Sequence, residues 1–371
     1  MDGKILSEQK KRYSLLCPHC KKNIAFELST EELSKYYVGE TAKITLASHG
    51  EPAHSVDVYI DRDELIRSAS ANFESVQPKL TLQNTYITDG TSVLNPQEGK
   101  ALGITVIPFT LSINDGPHRK FNEELFFSEV YENLKANNKV KSRPVTTEAY
   151  LEAFRNCSPE KPTIVLTISA RFSAAYANAQ EAKKIFAKER PDIAKNIYII
   201  DSQTSGPMLK LMIIKAIALD EAGQSLEEII EYLNWIREKH VAYIYIDSLN
   251  ALRKADRIGR VTTLFGNLLG LKPIIVENEN GVGDLKAFKT VRSKKDAIKE
   301  IVKAIHNQFG FVELEGVIFY GINIEDAEKI REELIQDSKI EEDDFTMDFV
   351  GTGVAVNLSF DILGIALYPK L

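Results

Sequence analysis

Thr163-Ile-Val-Leu-Thr-Ile-Ser169-Ala-Arg171-Phe-Ser173-Ala-Ala-Tyr176-Ala-Asn178-Ala179 decides the fold class of this chain. Its first half is a short apolar run rich in β-branched residues, the pattern of a strand buried on both faces. After small polar residues, Tyr176, Ala179, Ala182 and Phe186 recur three and four apart, as on one helix face. Ser173 stands at the N-cap position, where its hydroxyl can accept a hydrogen bond from the first helical turn. A strand running into a capped helix brings free backbone N–H groups and hydroxyls to one sheet edge, which suits a carboxylate or phosphate. The same pattern also describes an ordinary βα turn with a serine cap.

The alternation extends in both directions. Upstream, the patterning predicts strands at Thr85–Thr88, Ile104–Pro108 and Thr110–Ile113 and helices at Pro96–Leu102, Glu123–Ala136 and Glu148–Asn156. A polar loop, Asn137–Thr147, carries Lys141-Ser142-Arg143-Pro144. Downstream, strand Ile197–Ile200 ends in Asp201-Ser-Gln-Thr-Ser-Gly206 and leads into a helix from Pro207 to Glu221. Ser225 and Glu228 form a capping box for the helix Leu226–Lys239. Strands alternating with helices of this length imply an α/β fold with a largely parallel sheet and right-handed crossovers. Ligands of such sheets bind outside the carboxyl ends of the strands. Four polar segments converge there: Asp89–Ser92, Lys141–Arg143, Ser169–Ser173 and Asp201–Ser205.

From Tyr243 the character changes to α+β. Strands are expected at Tyr243–Ile246, Lys272–Val276, Leu285–Val291 and Gly316–Gly321, with helices at Lys294–Asn307 and Ile324–Gln336. Gly351-Thr-Gly353 reads as a turn into the last strand-like runs, Gly353–Leu358 and Gly364–Tyr368. The boundary between the two lobes falls near residue 241, giving domains 81–241 and 242–371. The basic cluster Arg253, Arg257 and Arg260 suits the rim of a cleft or a partner protein.

Residues 1–80 form a separate β-rich module. Alternating runs at Ile24–Leu28, Ala42–Leu46 and Ser55–Ile60 predict a small antiparallel sheet, and residues 66–82 read as a linker. Cys17-Pro-His-Cys20 is half of a zinc knuckle, and His49 and His54 are the nearest further ligands. Those histidines lie in a loop reading Ser48-His-Gly-Glu-Pro-Ala-His54. Zinc at Cys17, Cys20, His49 and His54 stands against a CxxC that merely makes a turn.

Composition narrows the function. Of 371 residues, 44% are hydrophobic and 27% charged, as in a soluble globular protein. A net charge of −7 argues against nucleic acid as the main partner. No apolar run reaches the roughly 18 residues of a membrane span. Three cysteines and no signal-like N-terminus imply a reducing, cytoplasmic location. No GxGxxG follows a strand, no GxxxxGK[ST] occurs and there is no GxSxG elbow, so nucleotide and elbow-serine chemistry have no support. His118, His240 and His306 read as surface residues.

Several blocks in one order resemble the DegV family: Ile87-Thr-Asp-Gly-Thr91, Leu102-Gly-Ile-Thr-Val-Ile-Pro108, Ser142-Arg-Pro144, Ile168-Ser-Ala-Arg-Phe-Ser-Ala-Ala-Tyr176, Ile200-Asp-Ser202, Ser248-Leu-Asn-Ala-Leu-Arg253 and Leu268-Leu-Gly-Leu-Lys-Pro273. The resemblance runs from about residue 85 to the C-terminus and implies a two-lobed fatty-acid carrier that is not an enzyme. It places the acyl tail between the lobes and the carboxylate among hydroxyls at the sheet edge, and it implies presentation of the acid to a fatty acid kinase. Ser142, Ser169 and Ser173 match family serines, while Lys141, Ala170, Ala174 and Ala175 replace family hydroxyl or flexible residues. The family's His-Thr-Gly-Pro-Gly segment aligns with Asn357-Leu-Ser-Phe-Asp361, without its histidine and glycines. The expected ligand set is therefore Lys141, Ser142, Arg143, Ser169, Ser173 and Asn357, with cationic donors compensating for lost neutral ones. No cofactor is required. The alternative is a small-molecule hydrolase or transferase using Ser169 or Ser173, which needs a base such as His118 or His240 within reach.

Overall fold

The computed structural model describes residues 10–16, 23–34, 37–38, 41–49, 54–61, 66–72, 82–247, 271–310, 312–337, 344–358 and 360–371. The chain forms two compact units, residues 1–80 with 127–132, and residues 81–126 with 133–371.

In the smaller unit, β1 (Lys11–Leu16) and β2 (Asn23–Leu28) pair antiparallel. Helix α1 (Thr30–Ser34) follows, its start closed by a reciprocal bond pair between Ser29 and Glu32. Strands β3 (Tyr37–Val38), β4 (Thr41–His49), β5 (His54–Asp61) and β6 (Ile66–Asn72) make an antiparallel sheet in chain order. Strict alternation buries Ala42, Ile44, Val58 and Ile60 on one face with Tyr13 and Leu33, while Lys43 and Thr45 face out. The three expected strands are present. Residues 66–72 are not a linker but pair with β5, because Ser55–Ile60 offers an open edge. His49 and His54 are not in a loop but are partners across the β4–β5 ladder.

The larger unit holds two main sheets. The first is parallel, in the order β13 (Ile197–Asp201), β12 (Thr163–Thr167), β7 (Thr85–Asp89), β8 (Thr105–Ile107). Every residue of β12 is buried, as its unbroken apolar run requires. The polar ends of β7, β12 and β13 therefore lie side by side at one edge. The helices of this part are α2 (Pro96–Ala101), α4 (Thr147–Arg155), α5 (Ala175–Glu189), α6 (Pro191–Ala194), α7 (Gly206–Glu221) and α8 (Leu226–Lys239), while most of α3 (Phe127–Lys135) groups with the smaller unit. The capping box expected at Ser225 and Glu228 is present.

The second sheet has six strands in the order β16 (Leu285–Val291), β15 (Lys272–Glu277), β14 (Val241–Ile246), β19 (Ile362–Pro369), β17 (Leu314–Tyr320), β18 (Phe345–Phe349). Helices α9 (Lys294–Phe309) and α10 (Ile324–Asp337) pack their apolar faces against it. Helix α7 is buried around most of its circumference and touches both β12 and β17, so it lies between the two sheets. Its Asp220 carboxylate accepts from Gln83 N and Asn84 N, each at 3.0 Å, and from the Tyr86 hydroxyl at 3.0 Å, anchoring α7 to the start of β7.

Two of the expected elements differ in this unit. Lys141–Arg143 is not loop but part of β11 (Val140–Arg143), which pairs antiparallel with β9 (Thr110–Ile113). Strand β10 (Arg119–Lys120) closes β9 on its other side. Residues 352–358 are not strand but helix α11 (Thr352–Leu358), which starts directly after Gly351 in the left-handed region at φ 87°. A Cβ at Gly353 would stand 3.0 Å from the Phe109 ring.

Candidate functional site

The site is built on the carboxyl end of β12 and its neighbours. Asp89, at the end of β7, is buried and accepts from Ile168 N at 2.9 Å and Thr91 N at 3.0 Å, as well as from the Thr91 hydroxyl. Burial pushes its carboxyl upward in pKa, and these donors oppose that shift. The same bonds pin the turn Gly90–Ser92, which presents Thr91 at the sheet edge. Asp201, at the end of β13, accepts from Ala170 N at 3.0 Å and Gln203 N at 3.1 Å. Two carboxylates thus shape the Ser169–Ser173 turn from either side.

The two serines of that turn differ. Ser169 is fully buried, and its Oγ accepts from Arg171 N at 3.2 Å. Ser173 is partly exposed, and its Oγ accepts from Ala175 N at 3.2 Å. Ser173 is not the N-cap of α5; that position is Ala174, which has no side chain to cap with. The helix begins one residue later than the serine because its hydroxyl closes a tighter local turn first.

Strand alternation separates the β11 residues. Ser142 faces inward, with Asn357 Nδ2 of α11 at 3.4 Å from its Oγ. Lys141 points the other way, and its ammonium lies 2.6 Å from Asp115. Lys139 reaches the same carboxylate at 3.3 Å. The two lysines hold the Asp115 carboxyl below the usual range. Arg143 borders the hollows on both sides of this strand.

Three hollows meet here. A polar one of about 360 Å³ is lined by Asp89, Thr91, Ser142, Arg143, Ser173 and Gly353 among others. An apolar one is lined by Phe172, Met208, Ile244, Phe319, Val354 and Leu358 among others. Ile168 and Gly353 line both. The third, about 450 Å³, lies beyond β11 and holds Asp115, His118 and Lys141. There His118 Nδ1 is 3.3 Å from the Thr110 hydroxyl. Partial burial, then the charges of Arg143 and Lys141, lower the pKa of His118.

Of the expected ligand set, the polar hollow gathers Ser142, Arg143 and Ser173, with Asn357 in contact with Ser142. Ser169 lies beneath the turn and Lys141 faces the third hollow. His240 is buried, not superficial, with Nδ1 3.0 Å from the Ile236 carbonyl. Among the described residues, no histidine bonds Ser169 or Ser173. Arg253, Arg257 and Arg260 lie outside the described residues, as do Cys17 and Cys20. Among the described residues, no three His, Cys, Asp or Glu side chains are grouped to hold a metal ion. No helix there is long and apolar enough to cross a membrane. Nothing in the sequence singles out Thr91, Ile168 or Gly353 as site residues, although Thr91 belongs to one of the polar strand ends.

A family profile described as "Uncharacterised protein, DegV family" matches residues 85–370. The chain belongs to the DegV family. A DegV domain-containing protein of Listeria innocua is 27% identical over 284 residues, covering 75% of this chain and 96% of its own. A DegV family protein from Thermus thermophilus superposes with a TM-score of 0.68 at 23% identity, over 77% of this chain and 99% of its own. A fatty-acid-binding protein from Eubacterium ventriosum gives 0.67 at 22% identity, over 77% and 98%. These likenesses cover the larger unit and establish the two-lobed DegV fold: a parallel α/β part and an α+β part. The β-rich N-terminal module precedes the matched region.

Proposed function

We propose that the protein binds a long-chain fatty acid as a non-catalytic carrier. The carboxylate sits in the polar hollow, among Thr91, Ser142, Arg143, Ser173 and Asn357. The tail runs into the apolar hollow between the two sheets, with the lobe boundary at residue 241. The observation that carries this reading is the common wall: Ile168 and Gly353 line both hollows, so a head group and its chain have one continuous path. The relatives support the ligand class. The Thermus thermophilus protein binds a fatty acid, and the Eubacterium ventriosum protein binds stearic acid.

Several finer points are part of the proposal. Arg143 supplies the cationic donor expected of this site, and Lys141 acts at most through the charge it shares with Asp115. Carriage is supported by serines whose hydroxyls accept from backbone N–H groups. Presentation of the acid to a fatty acid kinase rests on the family resemblance, with Arg253, Arg257 and Arg260 as the docking residues. Each buried CH₂ contributes about 0.8 kcal/mol, so affinity should rise with chain length until the hollow is filled. Native mass spectrometry of the purified protein, with thermal melts in palmitate and oleate, tests the reading. A co-purifying acyl ligand and a raised melting temperature are expected; absence of both rejects the carrier.

A further inference from the structure

The wall of the apolar hollow carries one carboxylate. Glu277, at the end of β15, lines it beside Ala242, Ile244 and Leu285. Its side chain is only 5% exposed, yet Oε1 has no hydrogen-bond partner. Nε2 of His240, fully buried and also partnerless, lies 3.9 Å from it. That distance is too long for a hydrogen bond.

The surrounding frame cannot turn to satisfy the pair. His240 Nδ1 lies 3.0 Å from the Ile236 carbonyl and 3.1 Å from Asn278 Nδ2, so the ring is held from its Nδ1 side in either tautomer. Asn278, the next residue after Glu277, spends its amide on the carbonyls of Arg237 and His240, both at 2.9 Å. Its Oδ1 accepts from Gly283 N at 2.6 Å. Glu277 Oε1 and His240 Nε2 therefore stand 3.9 Å apart, and in either tautomer no hydrogen bond satisfies the carboxylate oxygen. Buried acceptors without donors are costly, and a purely apolar wall would serve a plain alkyl chain better.

We propose that the preferred ligand carries a hydroxyl on its chain, away from the head group, and that Glu277 is the residue that selects it. This rests on the acyl-binding reading of the same cavity. The ligand's O–H donates to the Glu277 carboxylate, a charge-assisted bond in a water-poor site. The rest of the chain lies against Ile244, Phe319 and Leu358 as an unsubstituted chain would. A hydroxyl is the smallest neutral donor that meets the requirement without bringing a second charge into the cavity.

Octadecanoate and its hydroxylated counterparts, with the hydroxyl mid-chain or at the terminal carbon, are the probes. Affinities are measured by calorimetry on the full chain and on Glu277→Leu and Glu277→Gln, each checked by thermal melt. At least one hydroxylated acid should bind the unaltered protein about tenfold more tightly than octadecanoate, as one charge-assisted bond predicts. Glu277→Leu should reverse that order and tighten octadecanoate. Should that variant fail to fold, Glu277→Gln, which still accepts through one oxygen, is expected to keep a smaller preference for the hydroxylated acid. Equal affinities in the unaltered protein, or a ratio untouched by either substitution, overturn the inference while leaving the carrier standing. Failure of every acid to bind overturns the carrier and this inference with it.

Discussion

Asn357 Nδ2 lies 3.4 Å from Ser142 Oγ, joining residues 215 positions apart. The same amide donates to the Gly353 carbonyl at 2.8 Å, so the helix α11 side chain is aimed at β11 by its own backbone. Asn357→Leu keeps the volume and removes the donor from the head-group hollow. It should weaken fatty-acid binding about tenfold. Displacement of a fluorescent fatty acid reads this directly; an unchanged Kd would separate Asn357 from the site.

The cationic residues of β11 should behave differently. Arg143→Gln is expected to weaken binding and to flatten its dependence on salt, since it removes a charge at the hollow. Lys141→Ala breaks an exposed pair with Asp115 and should leave the affinity within about twofold, as exposed pairs contribute little. Equal losses in both variants would place the carboxylate nearer Lys141.

Met208 is buried on α7 and lines the apolar hollow. Met208→Trp shortens the space for the tail. Long acids should lose affinity while shorter ones keep it, because each excluded CH₂ forfeits about 0.8 kcal/mol. A series of saturated acids on both proteins reads the cutoff, and an unshifted optimum would put the tail elsewhere.

Asp89 is the tie between β7 and β12. Asp89→Ala leaves the Ile168 and Thr91 N–H groups without their acceptor, a loss of about 1–3 kcal/mol each where no water replaces it. Urea unfolding should show a lower midpoint at unchanged slope. A midpoint equal to that of the unaltered protein would mean the turn is held by other contacts.

His118 should titrate below its ordinary 6.5, because burial and the neighbouring Arg143 and Lys141 charges disfavour the imidazolium. A folded-state pKa below the unfolded one means that the unfolded chain takes up more protons as pH falls through 6.5, so acidification lowers stability slightly. NMR titration of the imidazole gives the midpoint. Arg143→Gln should raise it, and a midpoint above 6.5 would contradict the placement of these charges.

The parallel sheet was legible because Thr163–Thr167 and its neighbours are continuous apolar runs that only burial on two faces explains. What escaped was decided by packing. Residues 66–72, Ile-Arg-Ser-Ala-Ser-Ala-Asn, alternate small and polar groups and carry almost no hydrophobic signal, yet pair with an open edge. Lys141–Arg143 is too short and polar to announce a strand, so the opposite orientation of Lys141 and Ser142 was hidden. Residues 352–358 hold two valines beside Gly353, a strand-like composition, yet form a helix directly after Gly351. Of the site, the serines and Asn357 could be found by family resemblance. The meeting of Glu277 with His240, two unremarkable residues in separate elements, could not be read from either one.

Strand β19 lies between β14 and β17 in the six-stranded sheet, although it is the last of the six in sequence. During synthesis, β14 to β16 and β17 to β18 emerge as two fragments, each with a bare edge that waits for this strand. The sheet therefore closes only when Ile362–Pro369 has left the ribosome, and a chain stalled before that point presents two edges of unpaired backbone N–H and C=O groups to the cell. Helix α11, whose Gly353 lines both hollows, is made just ahead of it, so the hollows are complete only as the last stretch of the sheet is made.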